Sequence, residues 1–149
     1  MPIFPSEVWC RAAIALMEAD PELPAASAGW KDDLCVVVLP DAHLREPFAV
    51  HIRPEGGRIA DFRVLGDLDE ADALDAAIAV SAPYAVWKGL LLGTVDPIEA
   101  LFSRKIQVKG NVQPLIERAR FKGIIERVLT QLETEFPDGA TPGPNKERR

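Results

Sequence analysis

A chain of 149 residues has room for one domain with one useful core, and 48% hydrophobic residues are enough to fill it. A net charge of −6 and a sequence pI near 4.9 argue against a nucleic-acid binder that works through bulk positive charge. Two cysteines, Cys10 and Cys35, are too few for the disulfide framework of a small secreted protein, and each sits in an apolar pattern, so a reducing cytoplasm is expected. The N-terminus has no basic start before its apolar stretch and is interrupted by Glu7, Arg11 and Glu18, and no run reaches the roughly 20 apolar residues that span a bilayer. Any membrane contact is therefore expected to be peripheral.

Ser6 caps a first helix whose Trp9, Ala12, Ala13, Leu16 and Met17 share a face and which ends before Asp20-Pro21; a loop of alanine and proline follows. Leu34 to Leu39 is a continuous apolar run between Asp33 and Pro40, as in a strand covered on both faces. A hairpin comes next: Phe48, Val50 and Ile52 alternate with polar or small residues, as do Ala60, Phe62 and Val64 beyond Pro54-Glu-Gly-Gly-Arg58. Pairing Val50 with Phe62 puts every apolar residue on one face, whereas a slip of one sets Val50 against Asp61. A fourth strand is read over Leu74 to Ser81, after an acidic loop at Asp67, Asp69, Glu70 and Asp72 that lacks the glycine and terminal glutamate of a calcium loop.

Tyr84, Trp87, Leu90 and Leu91 recur at helical spacing, with Gly93 as a stop. Asp96 caps the next helix, Pro97 fits its first position, and Glu99 is placed to close a capping box. Lys105 to Lys109 alternates polar and apolar as a half-buried strand, Gly110-Asn111 turns the chain, and a last helix runs from Gln113 to about Phe136 with Phe121, Ile125, Val128, Leu132 and Phe136 as its stripe. Grouped strands predict an α+β domain over residues 1–137: a mostly antiparallel five-stranded sheet covered on one side by helices. Residues 138–149 read as a flexible tail.

Catalytic chemistry is nearly absent. His43 and His51 have no metal-ligand spacing around them, and no glycine pattern fits a phosphate or dinucleotide loop, so neither an enzyme nor a metal or other cofactor is expected. In the inferred register His51 faces Asp61, which reads as a surface ion pair. Charge is unevenly spread: seven Lys or Arg stand against two acids between Ser103 and Arg127, while five acids stand without a base between Gly66 and Asp75. A solvated helix face is the plain reading of the basic stretch, and approach to an anionic membrane the functional one.

The order of Trp87, Gly93, Asp96, Ala100, Lys105, Ile106, Val108, Lys109, Gly110 and Asn111, followed by a long amphipathic helix, resembles the signature of the sterol carrier protein 2 sterol-binding domain family, from about Trp9 to about Phe136. One departure is Arg104, where that family usually has glycine, so a differently shaped turn is expected there. The resemblance implies a hydrophobic tunnel between sheet and helices that binds fatty acids, acyl-CoAs, sterols or isoprenoids without transforming them. A tunnel wall is expected from Trp87, Leu90, Leu91, Phe102, Ile106, Phe121 and Ile125, a sheet floor from Phe48, Val50 and Phe62, and a cationic rim from Arg104 and Lys105 for an anionic head group. The alternative is an accessory or protein-interaction module with a filled core that assists a lipid or isoprenoid biosynthetic enzyme.

Overall fold

The computed structural model describes residues 2–30, 32–56, 58–110 and 120–138, with side chains in the last segment described from 123. The elements run α1 (Glu7–Ala19), α2 (Leu23–Ala26), β1 (Leu34–Leu39), β2 (Phe48–Glu55), β3 (Arg58–Val64), α3 (Leu68–Leu74), β4 (Ile78–Pro83), α4 (Tyr84–Leu92), α5 (Pro97–Phe102), β5 (Gln107–Gly110) and α6 (Arg120–Gln131). Five strands form one sheet in the order β3-β2-β1-β4-β5. All neighbours are antiparallel except β1 and β4. This is the α+β architecture expected.

The hairpin differs in register by two residues. Val50 lies opposite Val64 and Ile52 opposite Phe62, so the apolar residues keep their common face while every partner changes. The turn explains the shift. Glu55 pairs with Arg58 across only two residues, and that pairing continued unbroken would set Val50 against Arg63. A bulge between Arg53 and Pro54 leaves Ala60 as an extra residue and restores the parity. Pro54, which has no N–H to donate, sits at this irregularity.

The acidic stretch is α3 rather than a loop, and Leu74 ends that helix instead of starting a strand. Asp67 accepts from the Glu70 N–H (2.8 Å) and Glu70 accepts from the Gly66 N–H (2.6 Å), so two of the acids close the helix N-terminus. Leu68, Ala71 and Leu74, at helical spacing, pack on Cys35, Val37, Ala49 and Leu65, which covers part of the second sheet face. The loop after α1 also contains a helical turn, α2, with Leu23 and Ala26 buried.

The other face carries the larger core. Phe4, Trp9, Ala13, Leu23, Val38, Tyr84, Ile124, Val128 and Phe136 are buried together between α1, α2, α4, α6 and the sheet. The Ser6 hydroxyl caps α1 by accepting from the Trp9 N–H (3.1 Å), and the Trp9 indole N–H donates to the Thr134 hydroxyl (2.9 Å). That bond accompanies an earlier end of the last helix than its apolar stripe suggests. α6 stops at Gln131, and beyond it Glu135 bridges to Ile3 in extended form while Phe136 still enters the core. The expected start at Gln113 and the Asn111 cap lie outside the described residues, as does the tail from 139 onward. Asp138, assigned to the tail by sequence, is bonded to the fold: it accepts from the Tyr84 hydroxyl (3.1 Å) and from Lys88 Nζ (2.8 Å).

One glycine fixes how β5 leaves the sheet. Gly110 has φ +102°, and a Cβ there would lie 2.1 Å from the Ala77 carbonyl oxygen, a backbone atom that cannot step aside. Gly110→Ala is expected to destabilise the domain by about 2 kcal/mol or more, read as a lower denaturant midpoint with unchanged slope.

Candidate functional site

The helix-covered sheet face is built from aligned apolar rows. Val64, Val50, Val36, Val80 and Val108, one from each strand, are mutual cross-strand partners and form an unbroken row of five valines. Phe62, Ile52, Leu34 and Ile78 make the row on one side of it, and Phe48, Val38 and Ala82 the row on the other. β-Branched residues suit a pleated surface, and no side chain in the three rows can donate or accept a hydrogen bond. α1 lies toward the β3 side, where the Arg11 guanidinium sits 5.0 Å from the centre of the Phe62 ring. On the other side Val80 and Val108 meet Val86, Trp87, Leu90, Val95 and the buried Ile106, from α4, α5 and the approach to β5. Yet Val36, on the middle strand of the sheet, is only half-buried, as are Val64, Val80 and Val108.

The expected site residues separate into three groups. Phe48, Val50 and Phe62 lie on this sheet face, with Phe48 packed against the larger core. Trp87 touches both cores on this face, held by its indole N–H donating to the Val37 carbonyl (2.9 Å); Leu90, Leu91 and Ile106 pack beside it. The remainder are not gathered there. Phe102 is 76% exposed and Ile125 45% exposed, Arg104 and Lys105 are on the surface, and the Phe121 side chain lies outside the described residues. The sequence reading passed over the valine row: each of its strands shows alternation, but alignment across five strands depends on pairings that no single segment carries.

Comparison with known proteins bears on this geometry. The sequence profile of the SCP-2 sterol transfer family matches residues 13–117. The chain belongs to that family. Among solved structures, a crystal structure of sterol carrier protein 2 is similar with a TM-score of 0.69 at 22% identity, over 85% of this chain and 97% of that one. A conserved hypothetical protein from Thermus thermophilus, described as possibly a sterol carrier protein, gives 0.65 at 19% identity, over 94% and 91%. Sterol carrier protein domain 2 of Helicoverpa armigera gives 0.56 at 16%, over 85% and 89%. At these identities the likeness establishes the fold. Among curated proteins, none matches in sequence.

The signature that links this chain to the SCP-2 family is largely a backbone specification. Gly93 ends α4 at φ +80°, and Asp96 caps α5 by accepting from the Ile98 N–H (3.2 Å), although Glu99 does not close the capping box. Gly89, a helical turn before Gly93, is buried where an added Cβ would lie 2.4 Å from Val95. The Ala100 carbonyl accepts from both the Lys105 and Ile106 N–H groups (2.9 and 3.1 Å), folding the end of α5 into β5. Arg104 occupies this turn at φ +64°. The turn thus keeps a left-handed conformation that suits glycine, with arginine bearing a strain of about 1 to 2 kcal/mol.

On the opposite face, His51 lies across from Arg63 rather than Asp61, and its partner comes from the segment before β1: His51 Nε2 donates to Asp33 Oδ2 (2.7 Å). Asp33 Oδ1 accepts from the Ala77 N–H (2.9 Å), so this carboxylate ties β2 to the start of β4. Cys35 is the cross-strand neighbour of His51, which brings a thiol, an imidazole and a carboxylate onto one face. The thiol is not a nucleophile in this arrangement. It is 2% exposed, makes no hydrogen bond to the imidazole, and is pushed up in pKa by burial and then by the charges of Asp33 and Asp72. Burial alone would raise the Asp33 pKa, but the Ala77 N–H and the His51 imidazole outweigh it and hold the carboxyl below its usual range. A depressed folded pKa stabilises above the unfolded value, near 3.9, and that contribution is lost as pH falls through the folded value. Wild-type stability is therefore expected to fall on acidification below about pH 4, and Asp33→Asn to fall less over the same range, in urea unfolding measured from pH 5 to pH 2.

Proposed function

We propose that this chain binds a lipid without transforming it, with the apolar tail lying along the valine row between the sheet and the helices, and that it carries this cargo between membranes or to a partner. The observation that carries the reading is the incomplete burial of Val36, Val80 and Val108 on this face, where a filled core would bury them as it buries Val38 and Ile78. A surface with no polar side chain suits a hydrocarbon, each methylene of which contributes about 0.8 kcal/mol when it leaves water. Trp87, Leu90, Leu91 and Ile106 form the wall toward α4 and α5 in this reading, and Phe48, Val50 and Phe62 the floor. Membership of a family named for sterol transfer supports the ligand class and leaves fatty acid, sterol and isoprenoid as candidates. Among the described residues no helix is long and apolar enough to cross a membrane, which is compatible with a carrier that meets membranes at their surface.

Val36→Phe separates this reading from an accessory module with a filled core. A hollow site accepts the larger side chain with little loss of stability and loses affinity for a fluorescent fatty acid by tenfold or more. A filled core is overpacked by it, with a loss of about 1 to 3 kcal/mol, and the wild-type protein takes up no fatty acid. Organic extraction and native mass spectrometry of the purified protein should return a discrete bound lipid; a clean apo mass together with no uptake on titration overturns the proposal.

A further inference from the structure

The most exposed aromatic ring among the described residues has no role in the core. Phe102 is 76% exposed at the end of α5, and Ile98, one helical turn earlier, is 46% exposed. Two residues on, the chain presents Arg104 and Lys105, both exposed and neither in an ion pair with a described residue, while most other described basic side chains, including Arg11, Arg53, Arg63, Lys88, Lys109 and Arg127, have acidic partners. The backbone that carries the two cations is folded back on the end of α5, since the Lys105 and Ile106 N–H groups both end on the Ala100 carbonyl and Arg104 takes the left-handed conformation this turn requires. On the inner side of the same helix, Ala100 packs on Ile106 and Ala82, in the cluster that reaches Val80 and Val108 of the valine row.

We infer that the end of α5 and the turn into β5 dock this protein on an anionic membrane, with Phe102 and Ile98 entering the interfacial layer and Arg104 and Lys105 meeting lipid phosphates. The inference rests on the lipid-binding reading, to which it adds the surface where cargo is exchanged. A bilayer suits this patch better than a protein does. A stable protein interface needs about 800 Å² per partner around a packed centre, whereas an interface of lipid head groups needs no matching shape and accepts two apolar side chains beside two cations. The acids of the same helix stand toward its other end, Asp96 as its N-cap and Glu99 in its first turn, whereas the two cations follow its C-terminal end. Cations near such a surface attract independently and are screened by salt.

The test is sedimentation of the full chain with phosphatidylcholine vesicles, with and without a quarter of phosphatidylglycerol, at 0.1 M and 0.5 M salt. Wild-type protein is expected to bind only the anionic vesicles, and less at high salt; Phe102→Ser and Arg104→Gly are each expected to weaken binding by about tenfold. Arg104→Gly also controls for misfolding, because glycine relieves the φ +64° strain and should raise the thermal midpoint while lowering vesicle binding. Failure of the wild-type chain to bind anionic vesicles, or binding that both variants retain, overturns the docking surface. So does self-association in sedimentation velocity that Phe102→Ser abolishes, since the patch would then belong to a second copy. Uptake of a fluorescent fatty acid by the wild-type chain without vesicles tests the underlying reading separately. Uptake with no vesicle binding removes the docking surface alone, and vesicle binding through Phe102 with no uptake removes the lipid cargo and leaves the surface.

Discussion

The parity of the β2–β3 hairpin is the constraint on which the apolar face depends. Side chains alternate along a strand, so a single-residue error in one pairing turns a whole strand inside out. The Glu55–Arg58 pairing, continued unbroken, makes that error: it would align Val50 with Arg63 and send Phe62 and Val64 to the side of His51. The extra residue at Ala60 reverses it, and only then does the valine row extend from β3 through the central β1 to β5. Glu18 of α1 secures the corrected end by accepting from the Ile59 N–H (3.3 Å), next to the bulge, which also occupies an edge N–H that would otherwise invite another strand.

What was legible in the sequence was what a few neighbouring residues decide. Ser6, Gly93, Asp96 and Pro97 mark helix ends because capping is satisfied within one turn, and the bounds of β1 follow from an apolar run enclosed by Asp33 and Pro40. The hairpin face was legible and its partners were not, because two registers two residues apart place the same side chains on the same face, and a bulge chooses between them. α3 was hidden by its charge: five acids in ten residues look like solvated loop, yet Asp67 and Glu70 bond the backbone at the helix start while Leu68, Ala71 and Leu74 supply a narrow apolar stripe. Long-range pairings were the least accessible. Nothing near His51 in the sequence names Asp33, 18 residues away, and nothing near Thr134 names Trp9.

The candidate site was legible in the same uneven way. Alternation or helical spacing assigns Phe48, Val50, Phe62, Trp87, Leu90, Leu91 and Ile106 to a face, and the structure places them on or against the sheet face that carries the valine row. Phe102 shares the helical period of α5, but that helix is only six residues long and buries Ala100 instead, so its apolar pattern overstates what the sheet can cover. The SCP-2 signature has the same limitation from the other side. Gly93, Ala100 and Gly110 fit their places because a left-handed cap, a doubly accepting carbonyl and a close backbone approach admit few alternatives. Such constraints keep a fold recognisable at 22% identity and say little about which lipid it holds.

Arg104 shows where those constraints have been relaxed. The turn from α5 to β5 demands a left-handed residue, and glycine meets that demand without strain. An arginine held at φ +64° lowers stability, and its side chain is exposed and has no acidic partner among the described residues to offset that strain. Local strain that the fold does not need is balanced by an interaction outside the fold or by nothing. With Lys105 beside it and Phe102 two residues before it, the docking proposed above would supply that interaction: an anionic, partly apolar surface reached from the α5 side of the sheet. The same turn carries the Ala100 carbonyl that anchors Ile106 against Ala82. The N–H groups of Arg104, Lys105 and Ile106 all bond back to α5, so the exposed Arg104 and the buried Ile106, which packs with Val80 and Val108, belong to one continuous hydrogen-bonded turn.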